Sequence, residues 1–146
     1  MEKQLLDWMK TNEGETFESP RNKISKRKKY DLEIEKVCPD RVKILFVGSK
    51  YPALPLYFWM FDRTLNYLQK SKEVIVRLGA KLQPPYETDT IEGQIWKMPY
   101  PTCNTSYKVS PHVCDILALS GIVEYNLVDT KNRRNIQGIR LLKRMP

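Results

Sequence analysis

The strongest constraint on the fold is a clearly bounded helix followed by two strands near the C-terminus. Ser110 and Pro111 form a typical helix start, with a Ser N-cap and Pro at the first helical position, and Gly121 is the matching stop. Apolar, β-branched runs follow at residues 123–128 and 136–142, separated by a polar and basic segment. The pattern predicts a helix over residues 111–120 and then a β-hairpin with a basic loop.

Five further segments have a regular hydrophobic pattern. They are predicted helices over residues 3–10, 56–70 and 89–98, and predicted strands over residues 42–47 and 73–78. In the third of these helices, Asp89 and Glu92 have the spacing of an N-cap and its N3 partner, while Gly93 is expected to weaken the helix by about 1 kcal/mol relative to alanine.

From Ser110 onward, the chain resembles the recognition helix and wing of the winged helix-turn-helix DNA-binding domains. The segment SGIVEY, residues 120–125, matches the end of the recognition helix and the entry to the hairpin, and the hairpin matches the wing. Residues 56–146 supply every predicted element in the family's order. The resemblance implies a helix that lies in the major groove of DNA and a wing along the adjacent backbone or minor groove.

The predicted fold class is therefore α+β, a winged-helix-like domain with helices packed on a small antiparallel sheet, plus an N-terminal helix and basic arm. Residues 1–36 are predicted to form the N-terminal helix and the arm or linker, because residues 18–30 are too polar and basic to build a core. Residues 37–146 are predicted to form a single globular domain.

The charge balance favours a polyanionic partner. The chain has 25 Lys and Arg against 17 Asp and Glu, a net charge of +8, which is typical of proteins that bind nucleic acid. DNA is the predicted partner and RNA the alternative. A membrane is not predicted, because the sequence has neither a basic amphipathic helix with an exposed apolar face nor a lipidation signal, nor a run near the roughly 18 apolar residues of a membrane span.

The three cysteines, Cys38, Cys103 and Cys114, are too few and too scattered for a disulfide framework. A reducing compartment is expected: the cytoplasm or nucleoid, or the nucleus if the source is a eukaryote. Together with His112 the cysteines number four potential zinc ligands, but no pair has the Cys-x2-Cys spacing of a zinc site. Buried thiols are the preferred interpretation, and no metal or cofactor is predicted.

Cations are expected to reach a nucleic-acid backbone from several parts of the chain. The predicted nucleic-acid-binding residues are Lys26, Arg27, Lys28 and Lys29 in the arm, Lys108, Ser110 and His112 at the helix, Lys131, Arg133 and Arg134 in the hairpin loop, and Arg140, Lys143 and Arg144 on or after the last strand. The helix itself should expose His112 and Asp115 but no Lys or Arg, so affinity is predicted to be mainly electrostatic. The alternatives are a solvated turn for the loop cations, and a localisation signal or solubilising linker for the arm.

Two other functions remain open at this point. Asp31, Glu33 and Glu35 beside Lys36 could serve a metal-dependent nuclease, although the same spacing fits a charged edge strand. The apolar segment Tyr57–Phe61 is expected either to be buried or to form a contact with a second copy of the chain, and an interaction module could use it without any nucleic acid. No catalytic residue is predicted.

Overall fold

The structure is a computed structural model that describes residues 1–25, 29–101, 103 and 105–142. The chain divides into two compact units, Met1–Phe58 and Trp59–Pro146. The described residues combine helices with two small antiparallel sheets, which confirms the α+β class. None of the helices in this part of the chain has the length and apolar character needed to cross a lipid bilayer.

The first unit is built on a four-stranded antiparallel sheet. Its elements are helix α1 (Lys3–Thr11), strand β1 (Thr16–Glu18), a 3₁₀ helix (Pro20–Lys23), and strands β2 (Asp31–Val37), β3 (Arg41–Phe46) and β4 (Leu54–Tyr57), with the strands in the order β1-β2-β3-β4. Alternate residues of the strands point to a buried face, as a period of two requires. The buried apolar side chains are Leu5 and Met9 of α1, Leu32 and Ile34 of β2, Val42 and Ile44 of β3, and Leu56 of β4.

Two of the predicted elements are confirmed in this unit, the helix over residues 3–10 and the strand over residues 42–47. The predicted domain boundary after residue 36, by contrast, falls inside β2, which pairs with β3 from Leu32 to Val37 with one register shift between Ile34 and Lys36. The sequence predicts a boundary here because only Leu32 and Ile34 of β2 lie on its buried face, so the composition of this strand resembles that of a solvent-exposed segment. β2 also has a neighbour on each side and is not an edge strand.

The described residues of the second unit form three helices and a three-stranded antiparallel sheet. Its elements are α2 (Phe58–Lys70), which begins at the last residue of the first unit, then β5 (Val76–Arg77), α3 (Ile91–Trp96), α4 (Ser110–Leu119), β6 (Val123–Val128) and β7 (Ile136–Leu141). The strand order is β5-β7-β6. The buried apolar side chains include Phe61 and Leu65 of α2, Ile95 and Trp96 of α3, Val113 and Ile116 of α4, and Ile139 of β7.

The helices of this unit are confirmed, with corrected ends. α2 begins at Phe58 because the residues before it extend as β4, and β5 is shorter than the predicted strand. The N-cap of α3 is Thr90 and not Asp89: the Thr90 side chain accepts a hydrogen bond from the Gly93 N–H at 3.1 Å. The carboxylate of Asp89 instead pairs with Arg77.

The start of α4 also differs from the predicted cap, whereas its end does not. α4 begins at Ser110 and has no side-chain cap from its N-cap residue, Val109. Its last residue is Leu119, and the predicted stop, Gly121, follows with a φ of +81°, which glycine adopts at little cost. The Ile122 N–H donates to the Leu117 carbonyl at 3.0 Å, which is the bond that closes a Schellman end.

Candidate nucleic-acid interface

The hairpin formed by β6 and β7 ends in an ordered loop. The two strands pair continuously from Val123–Leu141 to Val128–Ile136. Inside the loop, the Thr130 N–H donates to the Arg133 carbonyl at 2.7 Å and the Arg133 N–H donates to the Thr130 hydroxyl at 3.2 Å. These bonds hold the backbone in a defined turn.

Three exposed cations, Lys131, Arg133 and Arg134, lie on this turn. The single loop carboxylate, that of Asp129, accepts a hydrogen bond from the Asn135 N–H at 3.0 Å. In the part of the chain that the structure describes, no ion pair neutralises the three cations. The hairpin therefore presents concentrated positive charge on an ordered backbone, which we call the cationic tip (Lys131, Arg133 and Arg134).

Arg140 lies on β7, but its charge is compensated. It is directly opposite Glu124 in the hairpin register and forms an ion pair with that carboxylate. Both side chains are partly exposed, so the pair adds little stability. Its consequence is electrostatic, because Arg140 offers an incoming phosphate much less net charge than the cations of the tip.

The residues predicted at the start of α4 have different environments. Lys108 is exposed and His112 is half-buried. Ser110 is fully buried, and its hydroxyl donates to the carboxylate of Glu92 at 2.9 Å. The assignment of Ser110 to the nucleic-acid surface is therefore wrong, since the internal acceptor already uses its hydroxyl and no surface remains for an external phosphate.

Seven of the ten residues of helix α4 are buried, and the helix contains no Lys or Arg. The prediction that Asp115 lies on an exposed face is wrong, because this residue is fully buried and accepts a hydrogen bond from the Tyr125 hydroxyl at 2.7 Å. Readout of base edges in the major groove depends on exposed, long polar side chains. α4 lacks them, so the groove-reading role that the resemblance implies for this helix does not fit the chain.

Glu92 is the residue that holds the start of α4 in place. Its fully buried carboxylate accepts four hydrogen bonds, from the Trp96 indole N–H at 2.9 Å, the Val109 N–H at 3.2 Å, the Ser110 N–H at 3.3 Å and the Ser110 hydroxyl at 2.9 Å. An acceptor at a helix N-terminus satisfies backbone N–H groups that have no partner within the helix. The sequence predicted only a local capping role for this residue, because Val109 and Ser110 are distant along the chain.

Burial raises the pKa of the Glu92 carboxyl above its ordinary value, while the hydrogen bonds from Val109, Ser110 and Trp96 oppose the rise. The folded chain therefore holds the Glu92 proton over a range of pH in which the unfolded chain has released it. This difference makes the stability of the fold depend on pH.

The stability of the wild-type chain relative to a Glu92→Gln variant is accordingly expected to fall as the pH rises. The proton-linked contribution is complete below the carboxyl pKa of the unfolded chain and is lost as the pH rises through the higher pKa of the folded chain. Urea unfolding of both proteins at a series of pH values measures the difference. A difference that stays constant or grows with increasing pH would contradict the expectation.

Arg63 of α2 organises the segment that follows α3. Its guanidinium donates to the carbonyls of Ile95 at 2.8 Å and Lys97 at 2.9 Å, and also to that of Pro99. It lies 5.1 Å from the centre of the Trp59 ring, a cation–π contact. Arg63 thus satisfies carbonyls at and beyond the C-terminal end of α3 and fixes the path of the chain toward α4.

The remaining predicted cations divide between described and undescribed parts of the chain. Lys29 is described and exposed. Five of the predicted cations lie outside the described residues: Lys26, Arg27, Lys28, Lys143 and Arg144.

Within α2, Met60 and Phe61 are fully buried, so these two residues of the apolar segment Tyr57–Phe61 offer no surface to a second copy of the chain.

The carboxylates considered for a nuclease are spread along β2. Asp31 and Glu33 alternate with the buried Leu32 and Ile34, whereas Glu35 lies where the register with β3 shifts, between Ile34 and Lys36. Among the residues that the structure describes, no group of three or more His, Cys, Asp or Glu side chains is arranged to hold a metal ion. None of the three cysteines forms a disulfide: Cys38 and Cys103 are half-buried and Cys114 is buried.

Comparison of the chain with protein-family models, with curated proteins and with solved structures yields no match.

Proposed function

We propose that the chain is a nucleic-acid-binding protein whose second unit acts as a winged-helix-like DNA-binding domain, with transcriptional regulation as its role. The observation that carries the proposal is the cationic tip, three exposed cations on a hairpin loop ordered by its own hydrogen bonds. The elements of the unit follow the order that the resemblance implies, and β5 pairs with β7, so that the hairpin shares its sheet with the strand that precedes α3.

The charge of the second unit supports an electrostatic mode of binding. Residues 59–146 contain thirteen Lys and Arg against eight Asp and Glu. Two of these acids, Glu92 and Asp115, are fully buried, which leaves the surface more positive than the composition alone suggests. Contacts to phosphates carry no sequence information, so the proposed contact positions the protein on DNA and gives it a strong dependence on salt.

The hairpin and α4 have separate roles in this proposal. Because α4 is buried and has no Lys or Arg, the cationic tip makes the principal contacts with DNA. The role of α4 is to hold the hairpin in position. The Tyr125 hydroxyl links β6 to α4 through Asp115 and also lies 3.2 Å from the Pro111 carbonyl. The nuclease alternative gains no comparable support from the described residues.

The double variant Arg133→Ala/Arg134→Ala tests the proposal. It should bind duplex DNA of any sequence at least about tenfold more weakly at low salt, because two phosphates are no longer neutralised. The slope of log affinity against log salt concentration should shrink by about 1 for each of these phosphates. Fluorescence anisotropy with a labelled duplex at several salt concentrations measures both quantities.

The matched control is Lys70→Ala/Lys72→Ala, which removes the same charge from two exposed positions at and just after the end of α2. Both double variants should keep the stability of the fold within about 0.5 kcal/mol, as is usual for surface substitutions. Equal weakening of binding by the two would show that net charge alone explains the affinity and would remove the hairpin from the proposal.

A further inference from the structure

Two connecting segments, of which the structure describes residues 19–25, 29–30 and 47–53, lie at one end of the four-stranded sheet in the first unit. The strand registers establish this, because Glu18 pairs with Asp31 and Leu32 pairs with Phe46. In addition, the Val47 N–H donates to the Asp31 carbonyl at 3.0 Å. The chain therefore leaves β1 and β3, and enters β2 and β4, at the same end of the sheet.

The 3₁₀ helix is fastened at this end. The Asn22 side chain donates to the Tyr30 carbonyl at 2.8 Å and accepts a hydrogen bond from the Tyr30 N–H at 3.2 Å. The guanidinium of Arg21 lies 5.2 Å from the centre of the Tyr30 ring. Arg21 and Lys23, which belong to this helix, are consequently held beside the start of β2.

The two ends of the sheet differ in charge. Neither segment at the first end contains an Asp or Glu, although Glu18 and Asp31 lie on the adjoining strand ends. The described cations there are Arg21, Lys23, Lys29 and Lys50. The connections at the opposite end, residues 12–15 and 38–40, contain the acids Glu13, Glu15 and Asp40 and no Lys or Arg. We call the end of the sheet with the four described cations the cationic end, and we define it by Arg21, Lys23, Lys29, Lys50 and the neighbouring Tyr51.

The loop that carries Lys50 also exposes an aromatic ring. Tyr51 is 74% exposed, and Val47 at the start of the same loop is 54% exposed. The loop itself is ordered, because the Ser49 N–H donates to the Phe46 carbonyl at 3.0 Å and the Tyr51 N–H donates to the Ser49 hydroxyl at 3.1 Å. An ordered turn thus presents the Tyr51 ring to solvent directly after Lys50.

We infer that the cationic end binds single-stranded nucleic acid, with an unpaired base stacked on the Tyr51 ring and with Lys29 and Lys50 on the flanking phosphates. Cations interleaved with an exposed aromatic ring suit a single strand, because every base offers a π-face for stacking. In a duplex those faces are already occupied by neighbouring bases. The inference rests on the proposed nucleic-acid function, but it involves other residues and another form of the ligand.

The test uses the full chain with labelled oligo(dT), labelled oligo(rU) and a labelled duplex. Tyr51→Ala should weaken binding of the single strands about tenfold, since one base no longer stacks on the protein, and should leave duplex binding unchanged. Tyr51→Phe keeps the ring and should bind like the wild type. The two single-stranded probes show whether the site favours DNA or RNA, and binding of either in this pattern supports the inference.

Charge is tested with Lys29→Ala/Lys50→Ala against the control Lys10→Ala/Lys36→Ala, two exposed lysines outside the cationic end. The first pair should reduce the salt slope for single strands by about 0.7 for each phosphate that is no longer neutralised, and the control should not. Equal effects of the two pairs, or an unchanged affinity in Tyr51→Ala, would overturn the inference.

Two further outcomes separate this inference from its rivals. If the cationic-end variants impair sedimentation with phosphatidylserine vesicles but not binding of single strands, the surface binds membranes and the inference fails. If Arg133→Ala/Arg134→Ala loses duplex affinity while Tyr51→Ala keeps its single-strand affinity, the proposed function stands and the inference alone is wrong. If instead Tyr51→Ala loses single-strand affinity while Arg133→Ala/Arg134→Ala keeps its duplex affinity, the inference about the cationic end is supported and the proposed role of the hairpin is wrong.

Discussion

Replacement of Glu92 with alanine is expected to lower the free energy of unfolding by about 3–4 kcal/mol, because it leaves buried donors without an acceptor. The Trp96 indole N–H and the backbone N–H groups of Val109 and Ser110 all donate to this carboxylate, and all three residues are fully buried. A loss of this size is a large fraction of the stability of an ordinary domain. Urea unfolding followed by far-ultraviolet circular dichroism measures it.

The control is Glu87→Ala, which removes the same type of side chain from an exposed position and should change stability by less than about 0.5 kcal/mol. Glu92→Gln should be intermediate, with a loss of about 1–2 kcal/mol, because the amide keeps one acceptor oxygen but turns an N–H₂ group toward donors. If Glu92→Ala unfolded at the same urea concentration as Glu87→Ala, the four hydrogen bonds would have no net effect on stability.

The same hydrogen bonds connect the interior of the second unit to its surface. Glu92 fixes the start of α4, and Asp115 within α4 accepts a hydrogen bond from Tyr125 of β6. β6 in turn pairs with β7 up to the hairpin loop. Loss of Glu92 is therefore expected to destabilise the hairpin as well as α4, although the buried Glu92 side chain cannot contact nucleic acid.

The parts of the fold that could be predicted from the sequence are those with strong local signals. Pro111 lies in the first turn of α4 and Gly121 lies just beyond its end, and β-branched runs on either side of a polar loop produce β6 and β7. These signals depend on backbone geometry within a few residues. For the same reason the cations of the hairpin loop could be placed on an exposed turn without knowledge of any tertiary contact.

Strands whose stability comes from pairing were missed. β1 is short, β2 has only two residues on its buried face, and β4 contains Pro55 and runs directly into α2. None of the three has the long apolar alternation that marks a strand in a sequence. Backbone pairing with the neighbouring strand, β1 with β2 and both β2 and β4 with β3, holds them in the sheet.

The errors at the candidate site have a common origin in interactions between distant residues. Ser110 and Asp115 are polar and occupy helix positions that look exposed, but their partners, Glu92 and Tyr125, lie 18 and 10 residues away. The cationic end was missed in the same way. Lys29 belonged to a predicted arm and Lys50 to a separate loop, and only the strand register brings them to one end of the sheet.

Gly93→Ala is expected to destabilise the chain by about 2 kcal/mol or more, although helix propensity alone predicts a gain of about 1 kcal/mol. A Cβ atom at this position would lie 1.9 Å from the carbonyl oxygen of Glu87 and 2.4 Å from its carbonyl carbon. The clash is with backbone, so no flexible side chain can move aside. Thermal unfolding followed by circular dichroism gives the sign of the effect.

Movement of the Glu87 carbonyl away from the added Cβ atom would break hydrogen bonds. It accepts hydrogen bonds from the Thr90 N–H at 3.0 Å and from the Thr90 hydroxyl at 2.8 Å, and that same hydroxyl caps α3 by accepting from the Gly93 N–H. Displacing the turn would therefore also weaken the N-cap, which is typically worth about 1 kcal/mol. Asn66→Ala, at an exposed position of α2, supplies the control and should be neutral or stabilising by a few tenths of a kcal/mol. A melting temperature that rises in both variants would contradict this expectation. It would mean that the gain in helix propensity at residue 93 exceeds the cost of moving the backbone at Glu87.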